Sequence, residues 1–293
     1  MTDRFADRLA AAVTTRNTAL CVGLDPRWDR LPERIRCRHG DSRVGRARAF
    51  EEFCFRVLDV VAPLVGVVKP QSAFFEALGP KGMSALFQIV QRARRMGLIV
   101  IADVKRNDIA STAEAYAEAA FDWLQADAVT LNPYLGRDSI EPFLEKARPA
   151  GRGLFVLVRT SNPGAGQFQD LPCQGEPLHV HVARAVESWA AEHPGRCGLG
   201  DVGAVVGCTS PVELTELRRV LSSTWILVPG YGAQGGTAAD VAGAFRSDGL
   251  GAIVNSSRAV LFPFHPSDSH WEAAVEKAAR EAADALRPAV ARG

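Results

Sequence analysis

A chain of 293 residues, 47% of them hydrophobic, is long enough to enclose one large core, and a formal net charge of +1 removes the electrostatic case for nucleic acid or an anionic membrane as partner. The longest apolar run, residues 60–68, is too short to cross a bilayer and contains Pro63, while the acids in MTDRFADRLAAAV mark an amphipathic helix rather than a secretory leader. The six cysteines form no C-x-x-C pair, and Cys37-Arg38-His39 and the pair His179/His181 are the only hints of metal spacing, so reduced structural thiols, no metal and a cytoplasmic location are expected.

After the N-terminal helix, eight short apolar runs recur along the chain. They are ALCVGLD (19–25), LVGVVKP (64–70), LIVIADV (98–104), DAVTLNP (127–133), GLFVLVRT (153–160), GAVVGCT (203–209), WILVPG (225–230) and GAIVNSS (251–257). Each is continuous rather than alternating, which suits parallel strands covered on both faces. The segments between them carry helical patterns. In the clearest, Ala113, Tyr116, Ala117, Ala120, Phe121 and Leu124 form one apolar stripe, and Ser111 and Glu114 have the spacing of a capping box. The pattern predicts an α/β fold: one (β/α)8 TIM-type barrel domain over residues 1–293, with an N-terminal helix and long connections after strands one and five (26–63 and 161–202). A doubly wound open sheet is disfavoured, because Asp25-Pro26-Arg27 stands where its glycine fingerprint would follow strand one. The stretch 27–48 holds eight arginines against three acids, but Trp28 is its only aromatic residue, so it reads as a solvated face rather than a polynucleotide-binding arm.

Barrel active sites gather where the strands end, and the polar residues follow that rule. Strand one ends in Asp25, strand two in Lys69, strand three in Asp103 and Lys105, strand four in Asn132, strand five in Thr160 and Ser161, and strand eight in Asn255 and Ser256. Asp103 and Lys105 are two apart, so along an extended strand both side chains point one way, toward Lys69 at the barrel mouth. Alternating carboxylates and ammoniums keep one another ionised in a partly dry site. Only five of the 34 basic residues are lysines, so a lysine at a strand end suggests that a compact, titratable ammonium is wanted there. A structural ion-pair network, with Asp108 capping the next helix, would use the same residues; Lys69 and Asp25 on adjacent strands favour a site.

Two further segments stand at the strand ends. PGYGAQGG (229–236) follows strand seven and NSSRAV (255–260) follows strand eight, the usual phosphate position of such barrels. Glycines 230, 232, 235 and 236 leave backbone N–H groups open to an anion, Gln234 adds a side-chain donor, and Arg258 offers a bidentate fork. RTSNPGAG (159–166) is, on spacing alone, a turn.

These segments together resemble the orotidine 5′-phosphate decarboxylase family, in its longer second subfamily. The family's D-x-K-x-x-D-I-x-x-T stands here as Asp103-Val-Lys105-Arg-Asn-Asp108-Ile109-Ala-Ser-Thr112, and CVGLDPR, VVKPQSAFFE, TLNPYLG, VRTSNPGA, VPGYGAQGG and NSSRAV match in the same order. The resemblance implies cofactor-free decarboxylation of orotidine 5′-monophosphate to UMP. It makes Lys105 the proton donor to C6, with Lys69, Asp103 and Asp108 completing the catalytic network. It places Asp25 and Lys69 on the ribose, Ser161 on the pyrimidine, Gln234 and Arg258 on the phosphate, and Gly235, Ser257 and Asn132 among the substrate contacts. It also implies a homodimer, with Asp108, Ile109 and Thr112 reaching into the neighbouring subunit's site. Two rival readings remain. Sugar-phosphate decarboxylases and synthases on the same barrel share D-x-K-x-x-D, but they carry a glutamate on strand two and bind magnesium, which the ammonium of Lys69 would repel. A non-catalytic nucleotide-phosphate-binding protein would have no need of Asp103 and Lys105.

Overall fold

The computed structural model describes residues 3–207, 210–231 and 237–290. All eight apolar runs form strands: β1 (Leu20–Leu24), β2 (Val67–Pro70), β3 (Ile99–Arg106), β4 (Ala128–Leu131), β5 (Gly153–Arg159), β6 (Val202–Val206), β7 (Ile226–Val228) and β8 (Ala252–Ser256). They lie parallel in chain order, and β8 pairs with β1 through Leu20–Val254 and Cys21–Asn255, so the sheet closes into a (β/α)8 barrel. Closure leaves no sheet edge, and every strand is covered on both faces, which is why the runs are continuous rather than alternating.

The two faces separate cleanly by residue. Leu20, Val22, Val68, Val100, Ala102, Val129, Val156, Ala204, Val228 and Val254 face outward into the shell beneath the helices. Cys21, Val67, Ile101, Ala128, Phe155, Val205, Leu227 and Ile253 point into the lumen. The helix at the N-terminus, α1 (Phe5–Arg16), contributes Phe5, Ala6, Leu9 and Val13 to that same inner cluster and so plugs the bottom of the barrel. Phe5 meets Phe155 edge-on at 6.1 Å, and a Cβ at Gly153 would lie 2.1 Å from the Phe5 ring, so only glycine admits the plug there.

The outer helices are α2 (Arg43–Val61), α3 (Pro80–Arg95), α4 (Ala110–Glu118), α5 (Glu141–Ala147), α6 (Leu178–Ala191), α7 (Pro211–Val220), α8 (Ala238–Val241) and α9 (Trp271–Val290). Local chemistry sets their starts. Ser42 caps α2 by accepting from the Gly45 N–H at 3.0 Å, and α3 and α7 begin on Pro80 and Pro211, whose missing N–H costs nothing in a first turn.

The expected capping box of α4 is not formed. The helix begins at Ala110, so Ser111 already lies inside its first turn, and Ile109 holds the cap position without a side-chain bond. The two long connections also resolve into ordinary parts: α2 fills half of the first and α6 a third of the second. What is added after β5 is a short helical turn (Gly166–Gln169) and a two-residue ribbon, Pro172–Cys173 against Glu176–Pro177. The arginine-rich stretch is held by local contacts: Arg38 with Glu52, Arg46 with Asp41, Arg27 over Phe74 and Arg46 over Trp28. The histidines near cysteines are likewise locally engaged, His39 with Glu52 at 2.7 Å and His181 with the Cys173 carbonyl at 2.7 Å. No described helix is long and apolar enough to cross a membrane.

Candidate active site

Strand alternation builds the site. Two residues beyond the lumen-facing Val67, Ile101, Ala128 and Ile253 come Lys69, Asp103, Thr130 and Asn255, which therefore form the next inward layer at the C-terminal mouth. All four are at most 5% exposed. Polar side chains stacked directly on an apolar lumen need partners close at hand.

Asp103 is the hub. Its Oδ2 accepts from Lys69 Nζ and its Oδ1 from Lys105 Nζ, and Thr130 Oγ1 donates to the same Oδ1 at 3.0 Å. Burial raises the Asp103 carboxyl, but the ammoniums of Lys69 and Lys105 outweigh it and hold the group at about 2. Burial likewise pulls the Lys69 ammonium down, while Asp103 and then Asp25 push it up, and the net direction is up. Directly beneath, burial pushes the Cys21 thiol up to about 12, an apolar floor under the charges. The two lysines differ in access: the Lys69 side chain is 6% exposed and that of Lys105 is 44% exposed. Lys105 is thus the more open of the two ammoniums at the mouth.

Around this hub stand unfilled polar groups. Asp25 Oδ1 and Asn255 Oδ1 are buried and take no hydrogen bond from the protein. Asn255 Nδ2 donates to Ser257 Oγ at 3.2 Å, and Gly23 makes the room: a Cβ there would lie 1.9 Å from Ser257 Oγ. Glycine at 23 lets the Ser257 hydroxyl lean over β1. Arg258 opens the short helix Arg258–Leu261 and lines a pocket of about 200 Å³ with Arg27, Asp29, Arg30 and Phe262 at the β1–β8 rim.

The remaining expected residues fall in three places. Asp108, Ile109 and Thr112 follow β3 at the outer edge of the mouth, outside the ion-paired hub. Asp108 Oδ1 accepts from the Ile109 N–H at 2.9 Å, and Ile109 is 52% exposed. Asn132 shapes a turn, its Oδ1 accepting from the Tyr134 N–H at 3.0 Å. Ser161 lies half-buried after β5. Its loop is anchored from behind by Arg159, which bridges Asp170 at 2.9 Å and Glu213 at 3.1 Å, and by Gln169, which accepts from the Thr160 N–H at 2.9 Å. Gln234 and Gly235 lie outside the described residues.

Sequence reasoning missed Thr130. The signal was available, since a hydroxyl two residues before Asn132 in DAVTLNP occupies the inward position of its strand. It also treated β3 as plainly extended. In fact Lys105 has φ +47°, and the register with β4 shifts between Ala102 and Arg106.

A closed parallel barrel with a buried carboxylate held between two ammoniums at its C-terminal mouth, and an arginine-lined rim beside it, is the site of a barrel enzyme acting on a small anionic substrate. The chain belongs to the orotidine 5′-phosphate decarboxylase / HUMPS family, whose sequence profile matches residues 18–266. It is 45% identical over 289 residues to orotidine 5′-phosphate decarboxylase of Rhodopirellula baltica, covering 94% of this chain and 96% of that one. It is 44% identical to the enzyme of that name from Roseiflexus castenholzii, covering 98% of each. The solved structure of Leishmania donovani OMP decarboxylase superposes with a TM-score of 0.77 at 33% identity, over 97% of this chain and 98% of that one.

Proposed function

We propose that this chain is an orotidine-5′-phosphate decarboxylase, a carboxy-lyase that converts orotidine 5′-monophosphate to UMP and CO2 in pyrimidine biosynthesis, without cofactor or metal. One observation carries the reading: the Lys69–Asp103–Lys105 hub at the mouth. Breaking the C6–carboxylate bond leaves an electron pair on C6 that the pyrimidine ring does not delocalise, so the barrier is high and must be lowered by charge placed for the transition state. The exposed Lys105 ammonium is that charge. It stabilises the developing carbanion, gives its proton to C6, and regains one from water. Asp103 keeps Lys105 aimed and charged, and Lys69 keeps Asp103 ionised.

The unfilled groups fit a nucleotide around this centre. Asp25 and Lys69 take ribose hydroxyls, Ser161 takes the pyrimidine, Gln234 with Arg258 takes the phosphate, and Asn132, Gly235 and Ser257 add further substrate contacts. Orotidylate absorbance should be lost on adding the purified chain alone, and the rate should be unchanged by chelator. A rate that collapses with chelator and returns with magnesium would move the chain to the sugar-phosphate branch of its family. Lys69 speaks against that branch, since its buried ammonium stands where a cation would have to bind.

We read the whole chain as one catalytic domain that works as a cytoplasmic homodimer. The dimer is supported by Ile109 (52% exposed), Tyr134 (85%) and Leu135 (44%), apolar side chains left in water by the loops after β3 and β4, and by Asp108 standing outside its own hub. In a dimer, Asp108, Ile109 and Thr112 complete the partner's site. Mixing Asp108→Ala chains with Lys105→Ala chains should regenerate activity, because one of the two sites in a heterodimer then keeps both Lys105 and Asp108. A verified heterodimer as inactive as either parent would argue against shared sites.

A further inference from the structure

We propose that Thr130 is a positioning residue for the decarboxylation, a role that rests on the function proposed above: its hydroxyl holds the bulge of β3 that aims Lys105 and Asp103. Thr130 is 1% exposed and faces inward on β4. Its Oγ1 lies 3.0 Å from three polar groups at once, the Val104 N–H, the Lys105 N–H and Asp103 Oδ1. A hydroxyl has one proton and two lone pairs. The ionised carboxylate can only accept and the two N–H groups can only donate, so one arrangement satisfies all three contacts and uses the hydroxyl's full capacity.

The backbone shows why this hydroxyl is needed. Ala102 pairs with Val129 and Arg106 with Leu131, so β3 advances four residues while β4 advances two. The extra residues, including Val104 and Lys105, bulge from the sheet, and Lys105 takes a left-handed conformation that a side-chain-bearing residue rarely adopts. Inside the bulge the N–H groups of 104 and 105 both turn to Thr130 Oγ1 at 3.0 Å. The ladder resumes where the Asn132 N–H meets the Arg106 carbonyl at 3.0 Å. The same atom therefore fixes the backbone from which Lys105 springs and one oxygen of the carboxylate that grips its ammonium. Threonine's branched Cβ, stiff at χ1 in a strand, keeps that atom in one place.

The test compares Thr130→Val with Thr130→Ser in the full chain. Valine keeps shape and strand preference without the hydroxyl; serine keeps the hydroxyl with a looser rotamer. We expect valine to lower kcat on orotidine 5′-monophosphate by about ten- to a hundredfold, the usual cost of a hydrogen bond to a charged group, with KM and UMP affinity moved less than about threefold. Serine should restore kcat to within about threefold of wild type. Should the valine chain not fold, Thr130→Ala, which lets water reach the two N–H groups, reads the same split. Unchanged kcat in the hydroxyl-free variants overturns the role. So does a parallel loss of kcat and UMP affinity that serine fails to rescue, which is what a residue acting only through the fold would give. A wild-type chain that does not decarboxylate the nucleotide overturns the functional reading itself, whereas an active wild type with an unaffected valine variant overturns only Thr130.

Discussion

Lys105→Ala should lower turnover of orotidine 5′-monophosphate by at least about 10⁴-fold, the combined scale of a lost proton donor and a lost charge at the reacting atom. UMP affinity should change by less than about tenfold, because the interaction removed is one that strengthens only as the carbanion forms. Geometry makes the experiment clean. The Lys105 side chain is 44% exposed, and Asp103 keeps Lys69 and Thr130 when Lys105 is gone, so no buried charge is left alone. Lys69 still neutralises the buried Asp103, so the loss should be on the order of 1–2 kcal/mol and the melting temperature should fall by no more than about 8 °C. Single-turnover kinetics with calorimetric UMP binding would check both halves. A variant that retained most of its activity would take the proton-donor role away from Lys105, whatever the quality of the match to the family.

The barrel was legible from the chain because closure imposes one demand on all eight strands. Each is buried on both faces and must be apolar throughout, so the runs at 19–25, 64–70 and onward stand out against the helices. The site was legible for the opposite reason: Lys69, Asp103 and Lys105 interrupt runs that have no other cause to carry charge. Where prediction fell short, tertiary geometry had intervened. The convergence of Asp103 and Lys105 was expected from the two-residue period of a strand, yet it is achieved through a bulge with Lys105 at φ +47°. A bulge is specified by what faces it, here the Thr130 hydroxyl, and no feature of LIVIADVKRND announces a partner 25 residues on. Ser111 looked like a cap because its spacing to Glu114 was right. The chain instead turns into the helix two residues earlier, at Ala110, itself in a left-handed conformation with φ +47°. Within the connection after β5, the β-branched residues and two histidines of LHVHVARAVESWAA conceal α6.

Asp103→Ala carries the second large effect, and it should strike stability and activity together. The substitution leaves the Lys69 ammonium, 6% exposed, without its principal counter-charge above an apolar lumen. Breaking a buried pair from one side costs about 3–5 kcal/mol, since the orphaned charge keeps its desolvation penalty and loses its compensation. Turnover should fall with it, because Lys105 loses the carboxylate that aims it. The double variant Lys69→Met, Asp103→Leu separates the two losses. With no charge left to strand, it should recover most of the stability, as apolar replacement of buried pairs commonly does, while remaining inactive. The pH dependence follows from the Asp103 carboxyl, lowered from 3.8 to about 2. A carboxyl depressed by folding contributes stability that is fully present above its unfolded value and disappears as pH falls through its folded one. The gap in unfolding free energy between wild type and Asp103→Ala should therefore be constant from neutrality to about pH 5 and shrink between about pH 4 and pH 2. Denaturant titrations across that range would measure it. A gap that stayed constant to pH 2 would mean that Asp103 is not ionised against its lysines, and the hub would then lack the charge on which the proposed chemistry depends.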